Sequence, residues 1–233
     1  MCSSDASPKA TESSATSGAG GGAPATPLVV MGRRPSINVR KVLWTCALLE
    51  CDYTLEEWGT GDLRLQSEAY RQINPNGLIP ALRDGDLVLW ESNTICRYLA
   101  ARHGRTDLLP TEAAARARVE QWMDWQVAEL APAWRYAFMA LVKHSPAHAS
   151  PSARKESVAQ WNRLMAILDD GLRRHGPYAA GEHFTLADVV LGLSTHRWLS
   201  TPMPRPVLPA VEEYMARLAQ QPGFADWVAN GQP

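Results

Sequence analysis

Apolar positions along the chain change their rhythm near residue 105. From Pro27, the run LVVMG has the length and composition of a short buried strand, and Arg33-Arg34-Pro35 breaks it. The next stretch, SINVRKVLWTCALLE, places Val39, Val42, Leu43, Cys46 and Leu49 on one helical face, with Ser36 in the N-cap position. Residues 53–58, YTLEEW, alternate as a second strand, and SEAYRQI is a short helix closed by NPNG. PALRD and LVLW flank the turn Asp84-Gly85-Asp86 as a hairpin. ESNTICRYLAARHG then reads as a helix with Ile95, Cys96, Leu99 and Ala100 inward and Gly104 at its end. The order βαβαββα predicts an α/β domain: a mixed four-stranded sheet with helices packed on it.

Beyond RTDLLPT the period-2 signal does not return. Residues 112–144 form one long helical pattern, with Val119, Trp122, Leu130, Ala133, Ala137 and Leu141 at helical spacing and a bend expected at Pro132. Residues 152–175, FTLADVVLGLSTHRW and LPAVEEYMARLAQQP supply three more helices. In FTLAD, Thr185 as N-cap and Asp188 three residues on read as a structural capping box, with Phe184 as its hydrophobic staple. The organisation expected is a 27–104 α/β domain and a 112–230 all-helical domain, with no repeat of fixed period.

Residues 1–26 are rich in Ser, Ala, Gly, Thr and Pro and nearly empty of large apolar side chains, so they are expected to be disordered and dispensable for stability. They contain GAGGGA, which satisfies a dinucleotide-binding string, but without the strand before it and the helix after it that such a site needs. They also lack the apolar stretch of a signal peptide. Nowhere does an apolar run approach the roughly 18 residues that span a bilayer. The formal net charge of −1 supplies no basic field for nucleic acid or membrane. Four cysteines, at 2, 46, 51 and 96, form no zinc or C-x-x-C pattern, which suits a reducing, cytoplasmic setting. No metal is expected either: His144 and His148 have helical spacing, but Pro146 lies between them.

Three places carry candidate chemistry. Pro80 opens the first hairpin strand, where it is either a trans strand-starter or a cis proline after Ile79. The cis form would leave backbone groups free to pair with an extended, peptide-like ligand. Glu91 and Ser92 stand where the hairpin ends and a helix begins. They suit an N-terminal cap, and equally a ligand carboxylate at the helix N-terminus with an ammonium beside Glu91. Such a pair of charges describes a γ-glutamyl group. Ser36 opens the first helix; it is either a plain N-cap or a hydroxyl donor to a ligand thiolate, with Asn38 able to contribute to the same anion.

Together, SINVRKVLW, NPNGLIPALRDGDLVLWES, ICRYLAARHG and FTLADVVLG resemble the glutathione transferase superfamily, of the bacterial theta-like kind, over about residues 27–230. The resemblance implies a thioredoxin-like N-terminal domain, an all-α helical-bundle C-terminal domain and glutathione as co-substrate. It implies that Ser36 activates the glutathione thiol, that Asn38 matches an asparagine of disulfide-reductase-like members, and that Ile79–Pro80 is a cis step pairing with the cysteinyl part. Glu91 and Ser92 match the γ-glutamyl site. The basic or histidine residue that theta-like members often place near the glycine end falls here on Leu65, leaving Arg64, Gln66 and Arg71 as substitutes.

The implied activity is conjugation of the glutathione thiolate to a small apolar electrophile, with Arg34, Trp134, Phe138 and Trp198 as candidates for the electrophile pocket. A homodimer is implied, in which Glu120 could reach the partner's ligand. Two rivals stand beside this reading: a glutathione-dependent disulfide reductase or peroxidase centred on Asn38, and a non-catalytic binding module on the same fold.

Overall fold

The computed structural model describes residues 27–59 and 63–233. The expected disorder of residues 1–26, and the glycine-rich string within them, lie outside the described residues.

The first half runs β1 (Leu28–Gly32), α1 (Ile37–Leu48), β2 (Tyr53–Glu57), a 3₁₀ turn at Leu63–Gln66, α2 (Glu68–Ile73), β3 (Ala81–Asp84), β4 (Leu87–Trp90) and α3 (Ser92–Arg102). The sheet order is β2-β1-β3-β4. β1 and β2 pair in parallel from Leu28↔Tyr53, and β3 pairs antiparallel to both β1 and β4. Pairing of β3 with β1 begins at Met31↔Ala81, so Ile79 and Pro80 stand just outside that ladder.

The second half is helical: α4 (Ala113–Trp125), α5 (Ala131–Leu141), α6 (Pro151–His175), α7 (Leu186–Ser200), α8 (Pro209–Leu218) and the short α9 (Phe224–Trp227). Where the sequence suggests one long helix bent at Pro132, a π-helical segment, Gln126–Leu130, separates α4 from α5. Pro132 has no N–H for the carbonyl four residues back and its ring crowds that carbonyl, so the widened turn falls directly ahead of it.

One apolar core joins the two halves. It runs from Val30, Val42 and Leu43 through Ile95 and Leu99 to Leu164, Leu168, Val189 and Leu193. Helix α1 is buried on nearly every side, with α3, α7 and α9 packed around it. Trp44, fully buried on α1, donates from Nε1 to the Pro222 carbonyl (2.8 Å) and meets Phe184 and Phe224 through tilted and edge-on ring contacts. A smaller cluster, Met31, Leu65, Tyr70 and Ala81, fills the space under α2.

α7 starts on the expected cap. The Asp188 carboxylate accepts from the Thr185 backbone N–H (2.8 Å) and hydroxyl (3.1 Å), from the Ala179 N–H (2.8 Å) and from the Tyr214 hydroxyl (3.0 Å). Phe184 packs against Trp44 and Tyr178.

Candidate functional site

A cleft of about 800 Å³ opens between the two halves of the chain. Its first-domain wall comes from the start of α1, the loop before β3 and the start of α3, in the persons of Ser36, Asn38, Gly77 to Ile79, and Ser92. Its opposite wall comes from the π segment, α5 and α7, through Gln126, Trp134, Arg135, Phe138 and Arg197.

Ser36 is the N-cap of α1, with extended backbone, yet its hydroxyl makes no capping bond to that helix. Ser67, at the start of α2, does cap its helix by accepting from the Tyr70 N–H. The first-turn N–H groups of α1 and the Ser36 hydroxyl are therefore donors at the cleft wall, a setting that favours an anion. Asn38 is more exposed and lines the same wall.

The loop before β3 is held from behind. The Leu78 carbonyl accepts from both the Tyr70 hydroxyl (2.9 Å) and Asn74 Nδ2 (2.7 Å). Gly77 has φ +61°, and a Cβ there would sit 2.9 Å from the Leu65 carbonyl oxygen, so the turn requires glycine. The Ile79–Pro80 peptide is cis, and Ile79 lines the cleft. That is the form of Pro80 the peptide-binding reading requires.

Glu91, the N-cap of α3, has φ +69°, a conformation that costs a non-glycine residue on the order of 1–3 kcal/mol and that clusters at functional sites. Its carbonyl accepts the first helical bond, from Ile95 N–H (2.9 Å). Its side chain is exposed and is not among the residues that line the cleft, whereas Ser92, the first helical residue, is buried and does line it.

The floor holds a group that the sequence reading passed over. Lys41 is buried, with its Nζ donating to Gln126 Oε1 (2.7 Å) and Asn93 Oδ1 (3.2 Å). Asn93 in turn donates to the Met123 carbonyl (2.8 Å), so α1, α3 and the π segment meet in one polar network beneath the cleft. Burial pulls the Lys41 pKa down to about 8. The apolar rhythm of α1 hides Lys41 because that helix is enclosed on nearly all sides; a signal was available in two adjacent cations, Arg40 and Lys41, inside an otherwise apolar helix. Arg197 escaped notice for the same reason, since α7 is apolar around most of its circumference.

Of the four electrophile-pocket candidates, Trp134 and Phe138 line the cleft, edge to face with ring centres 5.5 Å apart. The other two are not among the residues that line it. Trp198 is buried away from the cleft, with Nε1 bound to Asn162 Oδ1 (2.8 Å) and Arg205 over its ring. Arg34 is exposed, its guanidinium 5.3 Å over Trp227. Glu120 is paired within the chain, to Arg97 and Arg116. Of the substitutes around Leu65, Gln66 lines the cleft and accepts from Arg71 (2.8 Å), while Arg64 reaches Trp58 and the Glu57 carbonyl. Leu65 itself is buried and adds no charge.

A four-stranded α/β domain with an anion-seeking helix start and a cis-proline edge, closed over by a helical domain, defines the class of thiol-handling proteins built on a thioredoxin-like module. Comparison with known proteins gives the family. Residues 35–102 match the model of the glutathione S-transferase N-terminal domain. Over 198 residues the chain is 33% identical to glutathione S-transferase GstB of Escherichia coli strain K12, covering 84% of this chain and 94% of that one. The theta class glutathione S-transferase of Xanthomonas axonopodis pv. citri, solved with glutathione bound, superposes with a TM-score of 0.83 at 36% identity, covering 89% of this chain and all of that one. A disulfide-bond oxidoreductase, YfcG of Escherichia coli strain K12, is 28% identical over 209 residues, 85% of this chain and 93% of its own length. The chain belongs to the glutathione S-transferase family.

Proposed function

We infer that this protein is a glutathione transferase: it binds glutathione on the α/β domain, holds the thiol as thiolate, and presents it to an electrophile lodged against α5 and α7. The observation that carries the reading is Ser36, an N-cap whose hydroxyl is left uncommitted to its own helix at the wall of the cleft. A thiol of pKa about 8.5 is only a few per cent ionised at neutral pH, and lowering that by two units takes about 2.7 kcal/mol. A hydroxyl hydrogen bond to a charged acceptor contributes roughly 1.5–3 kcal/mol, and the helix terminus a fraction more. The parts are sufficient in size. Ile79 would pair through its backbone with the cysteinyl residue, and Ser92 with Glu91 would receive the γ-glutamyl end.

A second reading, disulfide reduction, is favoured by Asn38 on the same wall and by the likeness to YfcG. Assays of conjugation, peroxide reduction and mixed-disulfide reduction on the purified protein separate the two. Conjugation dominating supports the transferase; mixed-disulfide reduction dominating replaces it. Failure to bind immobilised glutathione would favour the non-catalytic module. A cytoplasmic homodimer engaged in detoxification fits this reading. Exposed Leu78 at the cleft mouth, together with Leu87 and Trp90 on the edge strand β4, supplies apolar surface for a partner subunit, and a monomer by light scattering at micromolar concentration would remove the dimer.

A further inference from the structure

The described residues lining the cleft include three cations, Lys41, Arg135 and Arg197, and no carboxylate. Two of the three stand on the helical side, away from the α1 and α3 starts where glutathione is placed. Arg135 is exposed on α5 beside Trp134. Arg197, on α7, is only 5% exposed. Its guanidinium carbon lies 4.1 Å from the centre of the Phe138 ring and 4.5 Å from that of Trp134. One N–H goes to the Pro233 oxygen (3.1 Å), but Arg197 Nε and Trp134 Nε1 are both buried without an acceptor.

Unpaired buried donors are rare and costly, and a buried guanidinium is costlier still. Cation–π contact with the two rings holds the guanidinium in place, but a purely apolar electrophile needs only the rings and has no use for the charge or for the unpaired donors. We propose that the second substrate is a flat, apolar electrophile bearing a carboxylate, its ring against Trp134 and Phe138 and its carboxylate taken by Arg197, with Trp134 Nε1 as a further donor and Arg135 at the mouth. This rests on the transferase reading and narrows its substrate class. The step itself is ordinary substitution. The glutathione sulfur forms a bond to the carbon bearing a halide, the carbon–halide bond breaks, the halide leaves with the bonding pair, and the thiol proton passes to solvent. A planar guanidinium matches a carboxylate with two parallel hydrogen bonds, which an ammonium does not.

The test pairs an acid with its neutral ester. Conjugation of 4-chloro-3,5-dinitrobenzoate and of its methyl ester is measured, each corrected for the uncatalysed reaction with glutathione. Binding of 3,5-dinitrobenzoate and of its methyl ester, which lack a leaving group, is measured by calorimetry. The acid should lead by ten-fold or more in kcat/KM and in affinity. Trp134→Phe keeps the ring and removes the N–H, and should shrink the preference at least three-fold with KM for glutathione unchanged. Arg197→Met should abolish the preference; should that variant not fold, Trp134→Phe and the exposed Arg135→Ala carry the test through the same ratio. Equal or tighter binding of the ester by the wild type overturns the proposal, as does a Trp134→Phe effect on KM for glutathione in place of the acid preference. Acid-selective binding without turnover of either compound would overturn the transferase reading and still support the anion site.

Discussion

Lys41 sits under the cleft with two uncharged amide oxygens as its hydrogen-bond acceptors. The unfolded chain keeps that proton up to about pH 10.5, whereas the folded chain releases it near pH 8. Between those values the unfolded state binds more protons, so this group makes the fold more stable as pH rises. Relative to Lys41→Met, wild type should therefore gain on the order of 3 kcal/mol between pH 8 and 10.5 in denaturant titrations. A difference that stays flat with pH would mean that Lys41 titrates normally. Ser36→Ala should raise the bound thiol's pKa and lower conjugation at pH 7 at least ten-fold, about 1.4 kcal/mol, with Asn38→Ala doing less. Thiolate absorbance against pH and steady-state rates check both; the reverse order would move the chemistry to Asn38. Ser36, Asn38, Ile79 and Ser92 were legible in the sequence because each sits beside a helix start or a proline, where chain grammar fixes backbone position. Lys41, Arg197 and Gln126 were not, since what makes them site residues is a neighbour more than thirty residues away. Glu91 was legible as a cap, but its left-handed backbone was not.

Among the elements, α7 shows how four residues of sequence can settle a helix start. Asp188 accepts four hydrogen bonds from three separate segments, so its loss strands several donors at once. Asp188→Ala should cost about 3 kcal/mol or more in chemical denaturation, and Asp188→Asn less, because the amide oxygen keeps part of the set. A loss under 1 kcal/mol for the alanine variant would show that the cap is redundant. Here sequence and structure agree, as FTLAD carries its own partners within three residues. The α4–α5 junction is a contrasting case: Pro132 announces an interruption, yet the register change it causes lies upstream of it. Gln126, the first residue of that displaced turn, is the one that accepts from Lys41.

For the molecule as a whole, the two textures in the sequence are two halves of one core. Trp44, on the α/β side, is packed among residues of the helical side. Far- and near-ultraviolet signals should thus lose their folded values in one coincident transition, and Trp44→Ala should lower its midpoint by an amount equivalent to about 3–5 kcal/mol. Two separated transitions would show that the halves unfold independently. The sequence marked the change of rhythm near residue 105 but could not reveal this fusion, because periodicity assigns a face to each helix without saying which half of the chain will cover it.

The far end of the chain shares this arrangement. A single side chain, Arg40, donates to the Val228, Gln232 and Pro233 carbonyl oxygens and to Asn230 Oδ1, while Arg197 reaches Pro233 from the cleft. Residues 228–233 are thus tied to α1 through Arg40, and Pro233 is tied as well to the helical wall of the cleft through Arg197. For anyone altering the protein, this makes the Pro233 carbonyl a handle on the cleft: a substitution at Gln232 or Pro233 that displaces it should be felt at Arg197.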